Sequence, residues 1–205
     1  MQQNSLTLRQ TDVVTFDQPA FDEACAALMQ LVAQDGWPDL LIGIRTGGLY
    51  VAESMAQSVG FAIPVLSLTC RRASTAAKNR LGPVKKLVSS LPRPVVDRLR
   101  VIEHAMMTRK PSRGRRDGYT FDLAELAILD DWLGEAGPTP SIAVIDDAVD
   151  TGTTLSLVLD AVSHRAPEAE IRSAVITVTT DRPWATPRYT LFRRQLCRFP
   201  WSLDA

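Results

Sequence analysis

Six carboxylate or hydroxyl side chains crowd into the ten residues IDDAVDTGTT at positions 145–154: Asp146, Asp147, Asp150, Thr151, Thr153 and Thr154. The apolar run Ile142-Ala143-Val144-Ile145 leads into them, and Leu155, Val158, Leu159 and Val162 follow at helical spacing. The stretch therefore joins a buried strand to a helix. The first turn of a helix holds backbone N–H groups without partners, and Gly152 allows a ligand to approach them. Thr151-Gly152-Thr153-Thr154 thus suits a phosphate. Capping the helix accounts for one threonine, not for three. Carboxylates do not bind phosphate, so Asp146 and Asp147 need hydroxyls, a cation or a divalent metal as partners. A sugar phosphate meets both requirements: the threonine-rich turn holds the phosphate and the two acids hold the sugar hydroxyls. The plainer alternative is an acidic turn facing solvent ahead of a capped helix.

A second stretch, Gly43-Ile44-Arg45-Thr46-Gly47-Gly48, has a related character. A strand-to-helix turn needs one glycine. A pair of glycines beside Arg45 and Thr46 offers backbone N–H groups and a permanent cation, which fits a second anion. Two anion sites with acids between them imply a substrate carrying phosphate at two ends. Neither stretch is a nucleotide loop of the GxxxxGK[ST] or GxGxxG kind, because the chain has no Gly-Lys pair and no such glycine triplet. His104 and His164, the only histidines, stand apart from any ligand cluster, so no metal cage is expected.

These stretches require a frame that brings them together. A short strand is expected near 12–16. Asp17 and Pro19 open a helix whose apolar stripe is Phe21, Cys25, Leu28, Met29 and Val32, and Gly36-Trp37-Pro38 breaks it. Leu40-Leu41-Ile42-Gly43-Ile44 is a continuous apolar run suited to a strand covered on both faces. A helix over 49–59 and a strand over 61–68 come next. Further helices are expected over 94–107 and 123–133, the second opened by Asp122 and Glu125 as a capping box. A strand over 142–145, a helix over 154–164 and a strand over 171–179 follow, and the last twenty-five residues read as irregular. Apolar strands alternating with amphipathic helices define an α/β fold, a mostly parallel sheet with helices on both faces. Ligands bind such sheets at the carboxyl ends of the strands, where both glycine-bearing stretches fall.

With 205 residues, 45% of them hydrophobic, the chain has enough for one real core and is marginal for two, so a single domain over 1–205 is expected. Three widely spaced cysteines give no disulfide framework, which fits a reducing, cytoplasmic setting. The opening MQQNSLTLRQTDVV lacks an apolar stretch behind a basic end, so no secretory leader is expected, and no run approaches a membrane span. The net charge of zero conceals an uneven distribution. Fourteen of the 23 Lys and Arg residues lie between Arg71 and Arg116, against only Asp97 and Glu103. The segment 71–118 is read as a basic lid or insertion, or as a subunit interface. Zero net charge and the lack of a recognition motif weigh against nucleic acid as a partner.

The residues 142–154 resemble the signature of the type I phosphoribosyltransferases: apolar residues, two acids, a few variable positions, then Thr-Gly-x-Thr. Gly43 to Gly48 is similar to that family's pyrophosphate loop. The nearest branch is that of the hypoxanthine and xanthine-guanine enzymes. The resemblance implies the family fold with a C-terminal hood over 181–205, and transfer of a 5-phosphoribosyl group from phosphoribosyl pyrophosphate to a nitrogenous, purine-like acceptor. It implies that Asp146 and Asp147 bind the ribose hydroxyls directly or through Mg2+. Ala148, Val149, Asp150, Thr151, Gly152, Thr153 and Thr154 would cradle the 5′-phosphate. Arg45, Thr46, Gly47 and Gly48 would bind pyrophosphate, with a cis peptide in the loop, and Arg71, Arg72 or Lys78 would close over it. Asp150 matches the position of the proton acceptor, so Asp150 and Arg45 are the catalytic candidates. Trp184, Leu196 and Trp201 are candidates for the acceptor site, the two tryptophans having hood core as their plainer role. A homodimer is also expected.

Two positions depart from the purine-salvage pattern. Val178-Thr179-Thr180 stands where a lysine contacts the purine, and Leu196 stands nearest to the position of a base-stacking tryptophan. The acceptor is therefore unassigned, and a regulator of the same fold that senses phosphoribosyl pyrophosphate or a nucleotide is the alternative to an enzyme.

Overall fold

The computed structural model describes residues 13–72 and 118–202. The expected helix over 94–107, Lys78 and most of the basic segment lie outside these residues. The elements in chain order are β1 (Val13–Thr15), α1 (Gln18–Ala33), β2 (Leu40–Ile44), α2 (Gly47–Gln57), β3 (Val65–Leu68), β4 (Cys70–Arg72), β5 (Tyr119–Phe121), α3 (Leu123–Glu135), β6 (Ser141–Val149), α4 (Thr153–Arg165), β7 (Glu170–Val178), β8 (Tyr189–Arg193) and β9 (Leu196–Arg198).

Five strands form a fully parallel sheet in the order β3-β2-β6-β7-β8. All five residues of β2 are buried, because helices cover both sides of it. On one face, Leu28 and Met29 of α1 and Val51 and Met55 of α2 share a core with Leu41, Ile145 and Ile176. On the other, Leu126 and Leu129 of α3 and Leu155 and Val158 of α4 share one with Ile42, Val144 and Val175. Alternation along each strand divides the side chains between the two cores. The helix starts follow from local chemistry. Asp17 accepts from Ala20 N at 2.9 Å at the head of α1, where Pro19 costs no hydrogen bond, and Asp122 accepts from Ala124 N at 3.0 Å at the head of α3.

Two expectations need correction. The strand expected over 142–145 runs on to Val149, so Asp146 and Asp147 lie on the extended end of β6 and not in a loop. The C-terminal stretch is also not irregular. β8 is the edge strand of the main sheet, and β9 pairs in parallel with β1 through Val13–Leu196, Val14–Cys197 and Thr15–Arg198. Neither strand has an apolar run to announce it. Both are short and largely half-buried, and they are separated by a turn in which Arg194 takes a positive φ of 58°.

At the amino edge of the sheet Arg172 is 1% exposed. Its Nη1 donates to Val32 O and Gly36 O, each at 2.9 Å, and its Nη2 donates to Ser141 Oγ. One buried guanidinium thus finishes α1 and ties it to the starts of β6 and β7. Among the described residues no helix is long and apolar enough to cross a membrane.

Candidate functional site

The carboxyl ends of β2 and β6, neighbours in the sheet, carry the two glycine-bearing stretches. At the end of β2 the Arg45–Thr46 peptide is cis, as the resemblance implied. Gly47 and Gly48 then open α2 directly against the acid pair. A Cβ on Gly47 would overlap the Asp147 carboxylate, and one on Gly48 would strike Ile145 O and lie 2.8 Å from Asp146 Cα. The glycine pair is therefore a packing requirement. At Gly48 the obstacle is backbone; at Gly47 it is the Asp147 side chain, which would have to swing aside.

Asp146 and Asp147 are both partly withdrawn from water. Asp147 N donates to Asp146 Oδ1 at 3.0 Å, and Ala148 N donates to Asp147 Oδ1 at 2.9 Å. Burial, and then the charge of its neighbour, raise the Asp146 carboxyl well above the ordinary carboxylate range; burial raises Asp147 as well. Two recessed acids side by side favour a positive partner. Among the described residues no group of three or more His, Cys, Asp or Glu side chains would hold a metal ion unaided. The pair still fits Mg2+, which takes hard oxygen ligands and is commonly held by one or two carboxylates together with substrate phosphates.

The threonine-rich turn follows. Gly152 adopts φ +76°, a left-handed conformation, and as the N-cap residue it brings no side chain to the head of α4. Thr151 Oγ1 lies 3.1 Å from Thr153 Oγ1 and accepts from Thr153 N at 3.4 Å. The N-terminus of α4 opens toward the same sheet edge, the arrangement that suits an anion. Asp150 sits between the acid pair and this turn, with the Thr179 hydroxyl 3.3 Å from its Oδ1. Thr179 also joins the ends of β6 and β7 through its N–H to Val149 O at 2.9 Å.

The remaining candidates are spread around this centre. Trp184 N donates to Thr151 O at 2.6 Å, and its side chain is 56% exposed beside the turn. A Cβ on Gly152 would lie 2.7 Å from Ala185 N and O, so the segment after β7 packs closely on the turn. Trp201 belongs to an aromatic stack, parallel to Phe199 with centroids 4.9 Å apart, edge-on to Phe21 at 5.0 Å and near Tyr50 at 4.9 Å. It packs against the core that α1 and α2 share with the sheet. Leu196 pairs with Val13 on β9. Its neighbour Cys197 turns to the core, where burial pushes the thiol up to about 11, with the Asp147 charge a lesser cause. By alternation Leu196 faces the other way. Arg71 is exposed on β4, which pairs antiparallel with β5; Arg72 lies on the same strand. Cys25, pushed up to about 12 by burial, and Cys70, pushed up to about 11, are likewise poor nucleophiles.

Arg45 is not loose at the loop. Its Nη1 donates to Glu125 Oε1 at 3.0 Å. Glu125 was expected to complete a capping box at the head of α3, and the structure corrects this. Asp122 N donates instead to Thr69 O at 3.3 Å, and the Glu125 carboxylate points into the sheet edge. Ser67 Oγ donates to it at 2.8 Å, Thr69 N at 2.5 Å and Thr69 Oγ1 at 3.1 Å. Burial raises its pKa, but these donors outweigh it and hold the group below the ordinary glutamate value. Sequence reasoning missed Glu125 and Thr179 as parts of the site. The available signal for Glu125 was its position beside Leu126 and four residues before Leu129, on the apolar stripe of the helix where an acid needs a reason.

The fold these elements compose is that of the type I phosphoribosyltransferases. Purine phosphoribosyltransferase from Pyrococcus horikoshii Ot3 superposes with a TM-score of 0.57 at 19% identity, over 92% of this chain and 93% of that one. The Helicobacter pylori xanthine-guanine-hypoxanthine phosphoribosyltransferase gives 0.57 at 14% identity, over 94% and 95%. A hypothetical protein from Neisseria gonorrhoeae with bound ppGpp gives 0.51 at 14% identity, over 95% and 92%. At such identities the likeness concerns the fold. No protein-family model and no curated protein matches the sequence.

Proposed function

We propose that this protein transfers a 5-phosphoribosyl group from phosphoribosyl pyrophosphate to a nitrogenous, planar acceptor, releasing pyrophosphate. The observation that carries this reading is the contact between the two stretches: Gly47 and Gly48 pack directly on Asp147 and Asp146. A loop suited to one anion and a helix N-terminus suited to another thus flank a pair of acids at adjacent strand ends. That order matches a diphosphate, a ribose and a 5′-phosphate. Arg45, Thr46, Gly47 and Gly48 take the diphosphate, Asp146 and Asp147 the ribose hydroxyls, and the segment 148–154 the 5′-phosphate. Trp184, exposed beside the turn, is assigned to contact with the planar acceptor.

As the bond from the ribose to the diphosphate lengthens, positive charge develops on the sugar, and the acid pair stabilises it. Mg2+ held by Asp146 and Asp147 would offset negative charge on the departing diphosphate. Asp150 accepts the proton that the incoming nitrogen loses. The basic segment 71–118, with Arg71 and Arg72 at its start, serves as the lid; 181–205 serves as the hood; and the working form is a cytoplasmic homodimer.

The test is release of pyrophosphate from phosphoribosyl pyrophosphate and Mg2+ across a panel of nitrogenous heterocycles. Turnover with one of them supports the enzyme. The structural neighbour with bound ppGpp favours one second reading, a regulator that binds a nucleotide bearing phosphate at two ends. Tight binding of phosphoribosyl pyrophosphate or ppGpp, with no turnover on any acceptor, selects the regulator.

A further inference from the structure

We propose that Glu125 is a positioning residue: it fixes the Arg45 guanidinium at the mouth of the 45–48 loop, so that the loop presents a preformed cation to a diphosphate. This rests on reading that loop as the diphosphate site. Glu125 stands in the first turn of α3 on the side packed against the sheet, and only 9% of it is exposed. A buried acid there is costly unless it is well paired, and an apolar side chain would suit the stripe better. Helix capping gives no reason for it, because Asp122 already fills that role. The carboxylate instead collects donors from Arg45 just after β2, from Ser67 on β3 and from Thr69 beyond it. The hydroxyls and the amide need only an acceptor, which a neutral amide would supply. The guanidinium alone calls for a full negative charge.

Arg45 is held through Nη1, while its side chain remains 50% exposed. A guanidinium has five N–H donors, so one engaged nitrogen leaves a further edge for an anion. Holding a long side chain in one orientation before the ligand arrives removes an ordering cost from binding. The donors that keep Glu125 ionised across the neutral range sustain the arrangement.

The experiment is calorimetric titration of the full chain with two probes, pyrophosphate with Mg2+ and ribose 5-phosphate. The proteins are the wild type, Glu125→Gln, Arg45→Ala and the double variant, each first checked for a cooperative melt. Glu125→Gln is expected to weaken pyrophosphate about 10-fold, the scale seen when a partner that orients a ligating group is lost. Ribose 5-phosphate, which reaches the other turn and the acid pair but not the 45–48 loop, is expected to bind unchanged. In the Arg45→Ala background Glu125→Gln is expected to add no further loss. Equal weakening of both probes, or an undiminished effect without Arg45, overturns the proposal and makes Glu125 merely structural. Should Glu125→Gln fail to fold, Arg45→Lys takes its place, since it leaves Glu125 its three other donors. Pyrophosphate binding as tight as wild type in that variant overturns the proposal, and selective weakening supports it. A wild type that binds neither probe sinks the reading of the loop itself, whereas binding that Glu125→Gln does not alter sinks only the role of Glu125.

Discussion

A methyl added at Gly47 would push aside the carboxylate of Asp147. Gly47→Ala is expected to lower turnover by about 10²-fold, the effect of misplacing reacting groups by about an ångström. Steady-state assay with the acceptor found by screening checks this, and activity near wild type would show that the turn can relax. Asp147→Asn separates stability from function. It removes one of two crowded negative charges, so the ligand-free protein should melt higher at neutral pH, by roughly 2–4 °C for each kcal/mol of repulsion relieved. The same change should abolish binding of phosphoribosyl pyrophosphate, and a melt paired with a binding assay reads both. Asp150→Asn should reduce the rate by about 10²- to 10⁴-fold, as loss of a general base does, while leaving donor affinity nearly intact. Equal losses in the two would remove its role as a base. The acid pair, Asp150 and the glycine pair were legible in the sequence because each departs from what a plain turn needs. Glu125 was not, because Asp122 followed three residues later by a glutamate reads locally as a capping box, and only the fold reveals that the carboxylate turns elsewhere.

Elements with a strong pattern were read well, and those held only by their neighbours were not. The run Leu40–Ile44 is a strand with its expected bounds, since five apolar residues in a row suit burial on both faces. β6 outruns its apolar portion: Asp146 and Ala148 keep their pairing with Val175 and Thr177 of β7, and cross-strand hydrogen bonding does not depend on polarity. β8 and β9 owe their extended form to a sheet edge and to β1, partners that no local window contains. Glu125 ties α3 to the end of β2 and to β3, and its ionisation carries a testable pH dependence. Its folded pKa lies below the ordinary value of 4.5, so its stabilising contribution is complete above that value and lost as pH falls through the lower folded one. Denaturant titrations in acidic buffers should show the advantage of wild type over Glu125→Gln constant above about pH 4.5 and shrinking below it. An advantage that is flat with pH would mean the carboxylate is not what binds the elements together.

The whole molecule separates its tasks between the two edges of one sheet. The carboxyl edge holds the acids, the glycines and the open helix N-terminus, and the amino edge is fastened by Arg172. Arg172→Leu should destabilise the fold by about 1–3 kcal/mol, since Gly36 O loses its donor, while Val32 O keeps a bond from Asp35 N at 3.4 Å. Urea denaturation measures this, and donor binding by the folded fraction should be unchanged because the site lies at the opposite edge. The small β1–β9 sheet has a different kind of consequence. Val13 to Thr15 find their strand partners only at Leu196 to Arg198, with nearly the whole chain between, and Phe16 N continues the pairing to Arg198 O at 2.9 Å. Closing so long a loop is entropically costly and slow compared with local pairing. During synthesis β1 must therefore wait, unpaired, until Leu196 to Arg198 have left the ribosome. A strand that precedes β2 to β8 in the chain thus meets its partner only after all of them have been made.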